Sequence, residues 1–166
     1  MTSNKSTLFM DLNYLFEEDR LTFTIRNLNT QTHWALTRRM TLALLHAWVE
    51  KLESVGLPSV YVKGLNTTPR NLKQEHALSL EFDGPQISNS SLKSLESSCL
   101  VKEVTLRVTN TDSSLTLKSE NQFSEIQLTR KESHALLEML AIKAKQVNWL
   151  GSPKLPNWLG SSKQDD

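Results

Sequence analysis

The chain has 166 residues, 38% of them apolar, with 19 basic and 18 acidic side chains. That length buries one core well and leaves little for two, and a net charge of +1 argues against binding driven by bulk phosphate neutralisation. Cys99 is the one cysteine, which excludes an intrachain disulfide and a cysteine-built zinc site.

Leu8, Met10, Leu12, Tyr14 and Phe16 alternate with other residues, and this period of two predicts a strand with one apolar face. Glu17 to Arg20 reads as a polar turn. Leu21, Phe23 and Ile25 mark a second strand, and Thr32, Trp34 and Leu36 a short third, giving an antiparallel meander. At Thr37 the period changes. Thr37 is a good N-cap, and Met40, Leu44, Trp48 and Leu52 follow at steps of four, so a helix runs to Gly56 and Pro58.

The connector is less regular. Val60 to Val62 reads as a short strand and Asn66 to Lys73 as a polar loop. Leu78, Leu80 and Phe82 alternate, which predicts an extra strand over Ala77 to Asp83. Ser88 to Ser98 is serine-rich, either a short helix or a loop. The meander then returns in Val104, Leu106 and Val108, in Leu115 and Leu117, and in Ile126 and Leu128. Thr129 caps a helix carrying Leu136, Leu140 and Val147. Gly151 to Asp166 is rich in Pro, Gly and Ser and predicts a flexible tail.

The second half restates the first. Leu36-Thr37-Arg38-Arg39 leads to Ala43-Leu44-Leu45, Lys51 and Val55; Leu128-Thr129-Arg130-Lys131 leads to Ala135-Leu136-Leu137, Lys143 and Val147. Residues 12–55 laid on 104–147 give 10 identities in 44 pairs. Chance at roughly 6% identity would give about 3, so duplication is the reading. The expected fold is α+β, an internal pseudo-two-fold repeat of βββα units in one domain over 1–150. Repeat one spans 7–56, a connector with the extra strand 57–98, and repeat two 99–150, with the tail over 151–166. Six to seven antiparallel strands, joined edge to edge, would carry two helices on one face.

Two features point to binding. Arg38 and Arg39 open one helix, and Arg130 and Lys131 open the other. Cations there oppose the helix dipole, and a local rule broken at matched positions suggests a site for an anion or an acidic partner surface. The alternative is that both copies inherited a surface or ion-pair residue, with Glu132 and the acidic turn at Glu17–Asp19 as partners. In the tail, Asn148-Trp149-Leu150-Gly151-Ser152 recurs as Asn157-Trp158-Leu159-Gly160-Ser161. Aromatics in a Pro/Gly-rich terminus resemble the anchors of a linear docking motif, so Trp149, Leu150, Trp158 and Leu159 are the candidate partner-binding residues. The alternative is that Trp149 finishes the helix core and Trp158 folds back over the same sheet.

Catalytic signatures are sparse. The chain has 5 glycines and lacks G-x-S-x-G, a P-loop and G-x-G-x-x-G. His33, His46, His76 and His134 show no four-residue spacing of a metal site, and no metal or cofactor is expected. Strands in tandem followed by a helix resemble, in outline, the Whirly and PC4-type single-stranded DNA binders over much of 8–147. That resemblance implies a sheet surface using basic and aromatic residues; the outward positions here include Arg26, Arg107 and Lys118 among Asp11, Asn13, Thr22, Thr24, Thr105 and Thr116.

The expected function is a non-enzymatic protein-interaction module, an adaptor, regulator or assembly factor, docking through the Trp-Leu tail and the basic helix starts. A single-stranded nucleic-acid binder is the first alternative. A small enzyme at the repeat interface, using His33 or His76 with a carboxylate, is the second. The polar start from Met1 to Ser6 and the lack of about 20 consecutive apolar residues lead us to expect a cytoplasmic protein without membrane partners, able to form a homodimer.

Overall fold

A computed structural model describes residues 9–26, 31–57, 69–80, 87–88, 99–149 and 155–160. The elements in order are β1 (Phe9–Leu15), β2 (Arg20–Arg26), β3 (Gln31–Thr37), α1 (Arg38–Val55), α2 (Leu72–Leu80), β4 (Ile87–Ser88), β5 (Cys99–Leu100), β6 (Glu103–Val108), β7 (Asp112–Lys118), β8 (Phe123–Thr129) and α3 (Arg130–Gln146). The class is α+β, with two sheets and three helices among the described residues.

The first meander lies in a five-stranded sheet of order β4-β1-β2-β3-β5, and the second forms a three-stranded sheet β6-β7-β8. The two are separate, which corrects the edge-to-edge arrangement. The reason is that both outer edges of the first meander are occupied, β1 by β4 and β3 by β5, each paired in parallel. The chain passes between sheets at Val101, whose N–H donates to the Ala35 carbonyl, while the Lys102 N–H donates to the Lys118 carbonyl. Among the described residues there are eight strands and not six or seven, and two of them, the edge strands β4 and β5, have only two residues each.

Matched positions behave alike. Arg20 pairs with Thr37 across β2 and β3, and Asp112 pairs with Thr129 across β7 and β8, the same register after an offset of 92. Thr37 Oγ1 accepts the Met40 N–H at 3.2 Å, and Thr129 Oγ1 accepts the Glu132 N–H at 3.1 Å. One turn on, the Thr41 and Ser133 hydroxyls donate to the Thr37 and Thr129 carbonyls at 2.9 and 2.8 Å. The first hairpins differ by two residues: Leu12 faces Phe23, whereas Val104 faces Leu117.

One core joins both halves. Met10, Leu12, Leu21, Phe23, Trp34 and Leu36 bury the inner face of the first sheet; Leu115, Leu117, Ile126 and Leu128 do so for the second. Leu44, Leu45, Trp48 and Leu52 of α1 and Leu136, Leu137 and Leu140 of α3 fill the space between. Phe23, Leu44, Leu115 and Leu136 line one small gap at the centre of this packing. Neither sheet nor helix can leave such surface in water, and this burial is the main stabilising term.

The extra strand is replaced by a helix. Residues 72–80 form α2, with Glu75, His76 and Ser79 buried and Leu80 36% exposed. The Leu78–Leu80 alternation is therefore not a strand face. The start of the helix is capped: Asn71 Oδ1 accepts the Gln74 N–H at 2.8 Å, and Gln74 Oε1 accepts the Arg70 N–H at 2.7 Å. Val60 to Val62, Phe82 and most of Ser88 to Ser98 lie outside the described residues. The flexible tail also needs correction over 155–160. Those residues turn back onto α3, because Leu159 finds a fully buried place there. Among the described residues, no helix is long and apolar enough to cross a membrane.

Candidate functional site

The most unusual chemistry lies between α2 and α3. Glu75 and His76 point from α2 at Arg130, His134 and Glu138, which α3 places at steps of four on one face. All five are at most 3% exposed. Arg130 Nε and Nη2 donate to the two Glu75 oxygens, a bidentate pair, while Nη1 donates to the Thr109 carbonyl and Nη2 to the Gly56 carbonyl at 2.8 Å. Gly56 sits at φ 71°, ψ −165° just past α1, a conformation open in practice to glycine alone, which turns its carbonyl onto this guanidinium. Arg130 thus ties the end of α1, the β6–β7 turn and α2 to the start of α3.

Beyond Glu75 the polar chain continues through two imidazoles. Glu75 Oε1 lies 2.9 Å from His134 Nε2, His134 Nδ1 lies 2.8 Å from His76 Nδ1, and His76 Nε2 lies 2.7 Å from Glu138 Oε2. Burial pushes the Glu75 carboxyl upward, but hydrogen bonds from His134 and Arg130, and their charge, overcome it and hold the group below the usual range. Burial dominates at His134 and holds its imidazole below the ordinary value, against the pull of Glu75.

The C-terminal turn closes this cluster. Trp158 stands over His76 with ring centres 4.8 Å apart. The Gly160 N–H donates to Glu138 Oε2 at 2.7 Å, and Lys145 Nζ donates to the Leu159 and Gly160 carbonyls, each at 3.0 Å. Leu159 is fully buried. The body therefore holds this segment as it would a peptide: an apolar anchor, a ring contact, and backbone groups clamped by one acid and one base.

The first Trp-Leu pair is placed differently. Trp149 is buried, its indole N–H donating to Asp19 Oδ1 at 2.8 Å and its ring meeting the Tyr14 ring edge-on at 5.8 Å. Asp19 also accepts from the Tyr14 hydroxyl at 2.6 Å and from Arg38 Nη2 at 2.9 Å. Tyr14 and Trp149 hydrogen bonds, with Arg38 adding its charge, hold the Asp19 carboxyl below its ordinary value. The Arg38 guanidinium lies 5.8 Å from the Trp149 ring centre. Trp149 belongs to the core and joins the two halves.

No family model, curated protein or solved structure matches this chain.

The predicted site residues are thus divided. Trp158 and Leu159 come together on α3, while Trp149 lies at Asp19 and Leu150 falls outside the described residues. The paired basic corners do not form a matched site: Arg38 and Arg39 are exposed, Lys131 is half-buried, and Arg130 is committed to Glu75. His33 meets Thr24 and Gln31 and no carboxylate is among those partners. His76 does meet carboxylates, but in a closed cluster. Among the described residues, no group of three or more His, Cys, Asp or Glu side chains is arranged to hold a metal ion. Asp19, in the acidic turn expected as an ion-pair partner for the basic helix starts, does pair with Arg38. Glu75 and Glu138 escaped the sequence reading; the signal for Glu75 was the Asn71–Gln74 capping pair, which would have put it on a helix, while Glu138 lay on the helix read from Thr129 and had no partner visible in the sequence.

Proposed function

We propose that the protein is a non-enzymatic protein-interaction module, an adaptor, regulator or assembly factor, working in the cytoplasm. The observation that supports this reading best is the peptide-like hold on residues 155–160. In this reading the segment, seated on the core through Leu159 and Trp158 and held by its own backbone groups, is what exchanges with a partner. In this mechanism Trp158 and Leu159 leave α3 and enter a groove of the partner, and Arg38 and Arg39 orient an acidic surface on it. Trp149 stays in place as the hinge side of the arm, and Arg130 takes no part in contacting the partner.

The duplication reading belongs with this one. The offset of 92 recurs in the β2–β3 and β7–β8 registers, in both threonine caps and in both hydroxyls one turn on. An ancestral βββα unit that paired with a copy of itself accounts for all of these at once.

The test compares affinity capture from native lysate by the full chain and by its Trp158→Ala and Arg38→Glu variants, with and without nuclease. A protein retained by the full chain, weakened in a salt-dependent way by Arg38→Glu and lost with Trp158→Ala, supports the module. Nuclease-sensitive material held equally by all three would overturn it in favour of single-stranded nucleic acid.

A further inference from the structure

The two sheets treat their edges differently. Both edges of the first meander are closed, β1 by β4 and β3 by β5. The second sheet has the order β6-β7-β8, so among the described residues nothing pairs with the outer edge of β6 or of β8. An open edge carries a row of backbone donors and acceptors that readily takes another strand. Over β7 and β8 the inner face is closed, with Leu115, Leu117, Ile126 and Leu128 at most 3% exposed. Over β6 it is not: α1 packs against this strand, yet Val104, Leu106 and Val108 stay half-buried.

Which backbone groups of β6 face outward follows from its ladder. The Thr109 N–H donates to the Asp112 carbonyl at 2.9 Å, and Val108 faces Ser113 next to that pair. Hydrogen-bonded pairs alternate in an antiparallel ladder, so Glu103, Thr105 and Arg107 bond to β7 while Val104, Leu106 and Val108 turn their N–H and C=O groups out. A second β6 can therefore add antiparallel about a two-fold axis at Val104, Thr105 or Leu106. Only the axis at Thr105 sets Glu103 of one copy opposite Arg107 of the other, and symmetry makes that pair twice. The same register sets Val104 against Leu106 and continues the apolar inner face. Glu103 and Arg107 are both exposed, and neither has an ion pair or a side-chain hydrogen bond among the described residues. The β8 edge offers no such match, because its one charged side chain, Glu125, already accepts from Ser114 and Gln127.

We propose that the β6 edge is a dimer interface for a second copy of this chain, the two strands pairing antiparallel about a two-fold axis at Thr105. One sheet of order β8-β7-β6-β6-β7-β8 then crosses the dimer. The two opposite-charge pairs fix direction and register, and the isologous contact closes on itself and leaves no open β6 edge. The contact is one strand wide, so the dimer is reversible and its population follows concentration. It uses no residue of 155–160, and it stands or fails apart from the exchange proposed for that segment.

The experiment is sedimentation equilibrium of the full chain over micromolar to millimolar concentration, alone and with charge variants. The wild type should dimerise. Glu103→Arg sets arginine against arginine and Arg107→Glu sets glutamate against glutamate, so each should weaken self-association by at least about tenfold. Mixed in equal amounts, the two variants should regain a dimer holding one copy of each, since both pairs are then of opposite charge. Damage to the fold alone would not be repaired by mixing. Thr105→Cys in a Cys99→Ser background checks the register. Facing residues of a pair without hydrogen bonds lie about 4.5 Å apart at Cα, within disulfide reach, so this variant should oxidise to a covalent dimer. A wild type that stays monomeric throughout the range would overturn the proposal. So would a dimer indifferent to both charge variants, a mixture that stays monomeric, or species that grow beyond the dimer, as β6-to-β8 pairing would give. Should a charge variant fail to fold, wild-type sedimentation and Thr105→Cys cross-linking still decide.

Discussion

Arg38 and Arg130 occupy the same place in two helices, first after a threonine cap, yet the Arg38 side chain is 53% exposed and that of Arg130 is 1% exposed. Their partners explain the difference. Arg38 reaches Asp19 in the β1–β2 turn, whereas Arg130 is covered by α2, which brings Glu75. α2 has no described counterpart beside α1, so Arg130 is covered while Arg38 stays at the surface.

That burial makes Arg130 and Glu75 interdependent. Arg130→Met should destabilise the fold by about 3–5 kcal/mol in urea denaturation, because it strands the Glu75 charge. Glu75→Leu added to Arg130→Met should recover a large part of the loss, a coupling that a double-mutant cycle reads directly. Arg38→Met should leave the urea midpoint unchanged. Equal effects of the two single substitutions would refute the distinction drawn between them.

Much of the fold was legible in the chain because its signals are local. Alternation at Met10 to Tyr14 and at Leu21 to Ile25, the switch of period at Thr37 and Thr129, and the matched halves all report on neighbouring residues. What was not legible depended on distant contacts. Leu78 and Leu80 imitate a strand, and only the buried partners of Glu75 and His76 across 55 or more residues favour the helix that the Asn71 cap starts. The edge pairing of β4 and β5 rests on two residues each and has no sequence signature. Arg130 looked like a free cation because its neutralising carboxylate lies in another element. Trp158 and Leu159 looked like a free arm because polar, Pro-rich flanks hide a single well-buried leucine.

Asp19 gives a pH prediction with a definite sign. Its carboxyl is held below the ordinary value of 3.8, first by the Tyr14 hydroxyl and then by the Trp149 indole N–H. A depressed carboxyl pKa contributes stability that is present above its ordinary value and lost as pH falls through the folded one. The Asp19 carboxyl carbon should therefore titrate below 3.8, and the Trp149 indole resonance should move with the same midpoint. Tyr14→Phe should raise that midpoint toward 3.8. A midpoint unmoved by Tyr14→Phe would show that this hydrogen bond does not set it.

The two caps predict equal and additive effects. Thr37→Ala removes the acceptor for the Met40 N–H, and Thr129→Ala removes that for the Glu132 N–H. Each should cost about 1 kcal/mol, and the double variant about twice that, since the sites share no partner. Calorimetric melting on both singles and the double is sufficient. A strongly unequal pair would mean that the caps do different jobs despite their matched geometry.

Gly160 sets how firmly the C-terminal turn sits. It adopts φ 72°, and a Cβ there would lie 3.0 Å from Lys145 Cε and Nζ and 3.2 Å from the Ala141 Cβ. The lysine end can yield, but Ala141 is on α3 and cannot, and a side chain at this φ adds about 1–2 kcal/mol of its own strain. Gly160→Ala should therefore lift the turn while leaving the main core folded. Local release also limits the damage: once the turn detaches more easily than the protein unfolds, further changes within it no longer affect global stability. Leu159→Ala in the wild type should cost no more than the docking free energy of the turn, and in Gly160→Ala close to nothing. Measured by urea unfolding, an undiminished Leu159→Ala cost in the Gly160→Ala background would make residues 155–160 an inseparable part of the core. That result would remove the exchangeable anchor from the proposed function.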